Sequence, residues 1–314
     1  MIYKISILVV MVFISSCTNK TTENNNLKTI TTSSTALIEV SELLKIIQQT
    51  NIKVIDFRKP KYYNQGHIAN AVNIWRPAIE NKSYPYKGMM ASKTQIEKLF
   101  SNLGINTNDN LILYDDNGGC DSARLWWVLK YYNFTNVKLL NGGISSWVNE
   151  KHPITKNSPK ITPTKFQLPT TTSTVLYSTK EEVLEMVTKK TAFILDTRTA
   201  DEFSGKKQKK GAFKGGRIPN STRLDWVNAI HYNGDKKFKS IAKLENIYKK
   251  LNVQKTDTIL VYCHSGVRSA HTTFVLTQLL KYKNVKNYDG SWTEWSYFNN
   301  LPFIKDSLTK KEDN

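Results

Sequence analysis

Val261-Tyr262-Cys263-His264-Ser265-Gly266-Val267-Arg268-Ser269 is the stretch from which the rest of the chain can be read. The apolar run Ile259 to Tyr262 leads into it as a buried strand, and a helix is expected to begin near Ser269. Between them a nucleophile, a glycine and an arginine share one tight turn. Backbone N–H groups of such a turn, aimed inward ahead of a helix N-terminus, form an anion cradle. That setting lowers the pKa of a cysteine and favours its nucleophilic thiolate. Cys263 and Arg268 are therefore the candidate catalytic residues, and His264, Ser265, Gly266, Val267 and Ser269 complete the candidate active loop.

Working outward, the same surroundings occur twice. An apolar run ends in Asp56-Phe57-Arg58 and again in Asp196-Thr197-Arg198. Gly66-His67-Ile68 is matched by Gly216-Arg217-Ile218, and Leu111 to Asp115 by Ile259 to Cys263. Asn141-Gly142-Gly143 before Trp147 is matched by Asp289-Gly290-Ser291 before Trp295, and the spacing from Tyr114 to Trp147 equals that from Tyr262 to Trp295. Duplication of a whole domain accounts for this order. Aligned without gaps, Asp115 stands opposite Cys263, Gly118 opposite Gly266 and Cys120 opposite Arg268. The first copy thus has a carboxylate where the second has its nucleophile. Cys120 reads as a packed bystander, with a resolving thiol as the alternative, and Asp115-Asp116 as a solvated turn.

Within each half, β-branched runs alternate with helical stretches: 41–49, 92–103 and 122–132, then 178–188, 240–251 and 269–282. Ser92 with Gln95 and Ser178 with Glu181 have the spacing of capping boxes. The alternation predicts an α/β fold, each half a parallel sheet flanked by helices on both faces. Residues 37–152 are expected to form the first domain, 153–175 a linker rich in Pro, Thr and Lys, 176–306 the second domain, which carries Cys263, and 307–314 a charged tail.

The length of 314 residues suits two such domains, and 39% hydrophobic with 23% charged residues is a globular composition. The formal net charge of +19 comes mostly from Lys. No basic-aromatic face or recognised motif accompanies it, so nucleic acid is not an expected partner. The excess instead raises the local concentration of small anions. At the N-terminus, Lys4, the apolar run Ile5 to Ile14 and Ser15-Ser16-Cys17 read as an export signal over 1–16. Small residues ending in Cys resemble a bacterial lipobox, which makes Cys17 the expected lipidation site and 17–36 a polar tether. The expected location is the bacterial cell envelope, anchored to a membrane and facing outside the cytoplasm. With Cys17 so committed, Cys120 and Cys263 are too few for a disulfide framework or a multi-cysteine metal site, so no metal is expected.

Taken together, the duplicated Asp-x-Arg, Gly-x-Ile and Asp-Gly-Ser-Trp-x-x-Trp segments and the Cys-x-x-Gly-x-Arg loop resemble the tandem-domain rhodanese family, from about Leu37 to Lys305. The resemblance implies two tandem rhodanese-like domains, the first silent. It also implies a sulfurtransferase that carries sulfane sulfur as a Cys263 persulfide, without a cofactor. Its partners would be a small anionic sulfur donor and a thiophilic acceptor such as cyanide, a thiol or a protein thiol. Substrate-binding candidates are Arg198, Lys206, Lys210, Asp225 and Trp226; Asp225-Trp226 and Trp75-Arg76 are placed at the interdomain cleft, with aromatic core packing as the equal alternative. Arg198 has a structural alternative, an ion pair with Asp196. Mercaptopyruvate-preferring relatives favour an Arg near 206–210 and a Cys-Gly-Ser-Gly loop. This chain has neither, so thiosulfate is the expected donor and 3-mercaptopyruvate the alternative. His264 is a candidate proton donor. Two other classes compete: a sulfur-binding or sensor module without turnover, and a phosphatase or arsenate reductase. Tyrosine phosphatases place one residue more between Cys and Arg, which closes a larger cradle than the one available here.

Overall fold

The computed structural model describes Met1 and residues 36–306. The export signal, Cys17, the tether up to residue 35 and the charged tail lie outside the described residues. The tether's last residue, Ala36, belongs to the fold: it is buried, and its carbonyl accepts the Leu139 N–H.

The first half runs β1 (Leu37–Ile38), α1 (Val40–Ile46), β2 (Ile52–Asp56), α2 (Pro60–Gln65), β3 (Val72–Asn73), α3 (Lys93–Asn102), β4 (Asn110–Tyr114), α4 (Cys120–Tyr131), β5 (Val137–Leu140) and α5 (Gly143–Asn149). The second repeats it as β6 (Tyr177–Ser178), α6 (Lys180–Lys189), β7 (Phe193–Asp196), α7 (Ala200–Ser204), β8 (Ser221–Arg223), α8 (Ile241–Tyr248), β9 (Thr258–Tyr262), α9 (Val267–Phe274), β10 (Asn284–Tyr288) and α10 (Ser291–Tyr297). Each half holds a five-stranded parallel sheet, ordered β1-β5-β4-β2-β3 and β6-β10-β9-β7-β8. β4 and β9 lie at the centre. Leu111 to Tyr114 and Ile259 to Tyr262 are buried throughout, as strands covered on both faces must be.

The duplicated motifs converge on one network per domain. Arg58 grips both carboxylate oxygens of Asp56 and donates to the Gly66 carbonyl at 2.7 Å. Arg198 does the same with Asp196 and, at 2.8 Å, Gly216. The Tyr114 and Tyr262 hydroxyls accept the N–H groups of Ile68 and Ile218. The strand-end ion pair thus fixes the Gly-x-Ile turn, and the tyrosine ties that turn to the strand that delivers the active loop.

Several boundaries differ from those expected. The Ser92–Gln95 capping box is formed. In the second half the box is one residue later, Thr179 with Glu182, because Ser178 is taken by β6. α4 begins at Cys120 and α9 at Val267, each directly after a left-handed glycine. α9 continues as a π-helical turn over Val275–Leu279. Part of the expected linker is packed rather than spanning freely: Phe166 and Leu168 are buried, and the Thr164 N–H donates to the Ser101 carbonyl.

The halves share one core. α4, buried without interruption from Cys120 to Leu129, packs on α9, and Trp126 meets Phe274 edge to face at 5.0 Å. Each half also lays a loop over the other's strand-to-helix turn. Residues 80–90 reach across the second half, with the Met90 N–H on Asp289, the Tyr86 hydroxyl on Glu294 and the Lys87 carbonyl on Thr293. A Cβ on Gly88 (φ +102°) would lie 2.7 Å from the Ser265 Cβ, so this segment covers the active loop closely. Residues 230–238 return the arrangement, with Ile230 against Gly118 and the Phe238 N–H on Asn141. A buried Arg124–Asp289 ion pair joins the two halves beside these loops.

Candidate active site

Cys263 follows β9 and is 1% exposed. Its N–H and that of Gly266 both donate to the Ser291 hydroxyl, at 3.2 and 3.1 Å, and Ser291 donates onward to the Tyr288 carbonyl. The first N–H groups of α10, from Trp292 and Thr293, take the carbonyls of Cys263 and His264. The loop is therefore pinned from behind by the Asp-Gly-Ser-Trp segment. Gly266 is the one residue type that fits its place: φ is +73°, and a Cβ would come within 2.6 Å of both the Arg124 guanidinium and the Asp289 carbonyl.

Burial opposes a charge on Cys263. The Arg268 charge, the Ser269 hydroxyl at 3.4 Å and the backbone of Ser269 and Ser265 outweigh it and hold the thiol below its ordinary range. Arg268 itself is engaged: its two terminal nitrogens each donate at 2.7 Å to a different oxygen of Glu202, on α7. Of the two roles open to Arg268, holding the donor's anionic end or bracing the loop, its fork is engaged in the second. Arg268 acts on the sulfur through its charge, and Glu202 orients it. Val267 is buried at the start of α9 and anchors that end of the loop in the core.

The first half shows what the cradle holds. Asp115, expected in a solvated turn, is buried. Its carboxylate accepts the N–H groups of Asn117, Gly119, Asp121 and Ser122 at 2.8–2.9 Å, and the Ser122 hydroxyl at 3.0 Å. Asp116 alone is exposed. In the repeat these N–H positions correspond to Ser265, Val267, Ser269 and Ala270 around Cys263. One copy has its ring of donors filled by its own anion, and the other presents the ring to a thiolate.

The remaining candidates divide. Arg198, 1% exposed and closed by Asp196 and Gly216, is a structural ion pair and not a substrate contact. Lys206 is exposed, and Lys210 contributes its carbonyl, 3.1 Å from His264 Nε2. That nitrogen must carry the ring proton to face a carbonyl. Burial and the nearby Lys209 charge press His264 down to about 4, so at neutral pH it is a neutral anchor and has no extra proton to donate. Asp225 caps the 3-10 turn Trp226–Ala229; burial pushes its carboxyl up against the Val227 N–H and the Arg268 and Arg223 charges. Trp226 is buried core, edge-on to His271 at 5.1 Å. Sequence reading missed Glu202, Ser291 and Lys209. Ser291 had a signal, its place in the repeated Asp-Gly-Ser segment, and Lys209 lies in the 206–210 segment beside the candidates Lys206 and Lys210, whereas Glu202 had no local signal.

Fold and site define a class: a duplicated α/β protein with one thiolate cradle and one cradle blocked by a carboxylate. The family description Rhodanese-like domain matches residues 39–150 and again 179–297, and the chain belongs to the rhodanese-like family. It is 33% identical to the sulfur carrier protein TtuD of Thermus thermophilus, over 77% of this chain and 87% of that protein. It is 30% identical to the thiosulfate sulfurtransferase of Corynebacterium glutamicum, over 87% of this chain and 92% of that one. Among solved structures, SseA from Escherichia coli, described as a 3-mercaptopyruvate sulfotransferase, superposes with a TM-score of 0.72 at 25% identity, covering 82% of this chain and 98% of its own. These relatives place the chain among the sulfurtransferases and sulfur carriers.

Proposed function

We propose that this chain transfers sulfane sulfur from thiosulfate to a thiophilic acceptor through a persulfide on Cys263. The Cys263 thiolate attacks the outer sulfur of thiosulfate. The donor's S–S bond breaks, sulfite leaves with the electron pair, and a persulfide anion remains. An acceptor such as cyanide then takes the outer sulfur as thiocyanate and regenerates the thiolate. Catalysis is positioning and preorganised charge. The observation that carries this reading is the pair of cradles: the donors that bind the Asp115 carboxylate have counterparts around Cys263 that would bind the terminal sulfur of a persulfide.

Its test is to mix the protein with thiosulfate or 3-mercaptopyruvate, with and without cyanide, and to follow thiocyanate and the mass of the Cys263 peptide. Thiosulfate should give both the added sulfur and turnover. Added sulfur without turnover would support the carrier reading that the Thermus relative's name carries.

Arg268 sets the pH dependence. Because its charge helps to depress the Cys263 thiol, persulfide formation should fall as pH falls through that depressed value. Arg268→Ala raises the thiol, so the acidic limb should move to higher pH. At neutral pH the rate should fall with the thiolate fraction and recover as the pH is raised. A loss with an unmoved limb in a pH–rate profile would mean that Arg268 contacts the donor directly.

We further propose, from residues 1–17, that the mature protein is a lipoprotein of the cell envelope. Cys17→Ala should shift it from the membrane fraction to the soluble fraction or leave it unprocessed. An intact-mass measurement showing unmodified Cys17 in the wild type would overturn this.

A further inference from the structure

A side chain of the first half hydrogen-bonds to the Cys263 loop. Arg124, buried in α4, rests its guanidinium 4.8 Å from the Trp127 ring centre and divides its donors among three acceptors. One terminal nitrogen donates to the Gly88 carbonyl at 2.7 Å and to Asp289 at 2.5 Å. The other reaches the Gly266 carbonyl at 3.4 Å. That carbonyl also accepts the Ala270 N–H of α9 at 3.3 Å. In a planar trans peptide, as this one is, the C=O and the following N–H point in opposite directions. With the Gly266 carbonyl turned toward Arg124 and α9, the Val267 N–H is turned the other way, into the cradle. Among the described residues it makes no hydrogen bond, although Val267 is buried. The first half shows the same peptide with its partner in place. There His271 Nε2, from α9, stands 3.2 Å from the Gly118 carbonyl, and the Gly119 N–H donates to Asp115 at 2.9 Å. Each half thus sends a side chain from the helix after its turn to a glycine carbonyl in the other's turn.

We infer that Arg124 is a positioning residue for sulfur transfer: it holds the Gly266–Val267 peptide so that the Val267 N–H meets the outer sulfur of a Cys263 persulfide. The inference rests on the sulfurtransferase reading and adds to it a residue of the half that has Asp115 in place of a nucleophile. A guanidinium carries five donors in fixed directions and can serve three acceptors at once. An ammonium is a point charge that would settle on the Asp289 carboxylate and leave the two glycine carbonyls unheld. Persulfide formation exchanges one pair of anions for another. The Cys263 thiolate and thiosulfate become the persulfide anion and sulfite, with one S–S bond broken and one formed. A donor aimed at the outer sulfur stabilises only the persulfide side of that exchange.

Equilibrium loading of the full protein tests this. At a fixed excess of thiosulfate, sulfite is titrated in and the persulfide is followed by the mass of the Cys263 peptide. Arg124→Lys keeps a charge against Asp289 and gives up the Gly266 carbonyl. It should lower the sulfite concentration that discharges half of the persulfide about ten- to a hundredfold, the worth of one hydrogen bond to a charged group. The double variant Arg124→Met with Asp289→Asn leaves no lone buried charge and keeps an acceptor for the Met90 N–H, and it should show the same shift. Arg58→Lys is the control: it makes the same change in a buried ion pair whose hydrogen bonds all lie within the first half. It should lower the urea midpoint and leave the half-discharge point at the wild-type value. An unshifted half-discharge point in both Arg124 variants, or an equal shift in Arg58→Lys, would overturn the positioning role. Wild type that takes no sulfur from thiosulfate would overturn the sulfurtransferase reading beneath it, a result visible before any variant is made.

Discussion

Replacing Cys263 by Ser is expected to abolish sulfur transfer: no added sulfur by mass, and thiocyanate at the uncatalysed rate. A hydroxyl cannot form a persulfide, and at neutral pH it is not ionised. The fold should survive, because Ser differs by one atom and the backbone bonds to Ser291, Trp292 and the neighbouring strands do not involve the side chain. Circular dichroism and the unfolding midpoint should stay close to wild type. Cys120→Ser is the matched control. Burial pushes the Cys120 thiol well up, with the Asp121 and Asp115 charges adding to it, so the residue is a protonated packing group and its variant should keep most activity. Loss of turnover in Cys120→Ser with activity retained in Cys263→Ser would reverse the assignment of the two halves.

The second large effect concerns stability. Arg198→Ala leaves the fully buried Asp196 carboxylate without its partner and the Gly216 carbonyl without a donor. Breaking one side of a buried pair costs about 3–5 kcal/mol, a large share of a domain's net stability. Urea unfolding should show the loss directly. Substituting both members, Asp196→Leu with Arg198→Met, should recover much of it, since no lone charge then remains. If Arg198→Ala instead raised the KM for thiosulfate without changing stability, Arg198 would be a substrate contact after all.

The parts of this molecule that were legible in its sequence are those whose physics is local or repeated. The Cys263 loop is one contiguous turn. The Ser92 cap spans one helical turn, and the Asp-x-Arg pairs close over two residues. The shift from Ser178 to Thr179 has a comparably local cause, since two adjacent hydroxyl residues competed and β6 took the first. The short helices α2, α5, α7 and α10 left no period to read, being only five to seven residues long. What decides the surroundings of the sulfur is long-range. Glu202 meets Arg268 across 66 positions, and Arg124 meets Asp289 across 165. Asp115 was read as solvated because a carboxylate in a turn usually is. The backbone donors that make its burial tolerable become visible only when the loop is closed around it.

The crossed loops carry a consequence for the history of this chain. After a gene is duplicated, a copy that loses its chemistry is ordinarily free to decay. Here residues 80–90 of the Asp115 copy roof the Cys263 turn, and residues 230–238 of the Cys263 copy roof the Asp115 turn. Each copy wears a piece of its sibling. A half with a carboxylate in place of a nucleophile still has to keep its shape, and the surroundings of Cys263 reach residues that never touch the sulfur. Substitutions tolerated in the first copy should therefore concentrate away from 80–90, α4 and the Asp115 turn, where ancestry has become architecture.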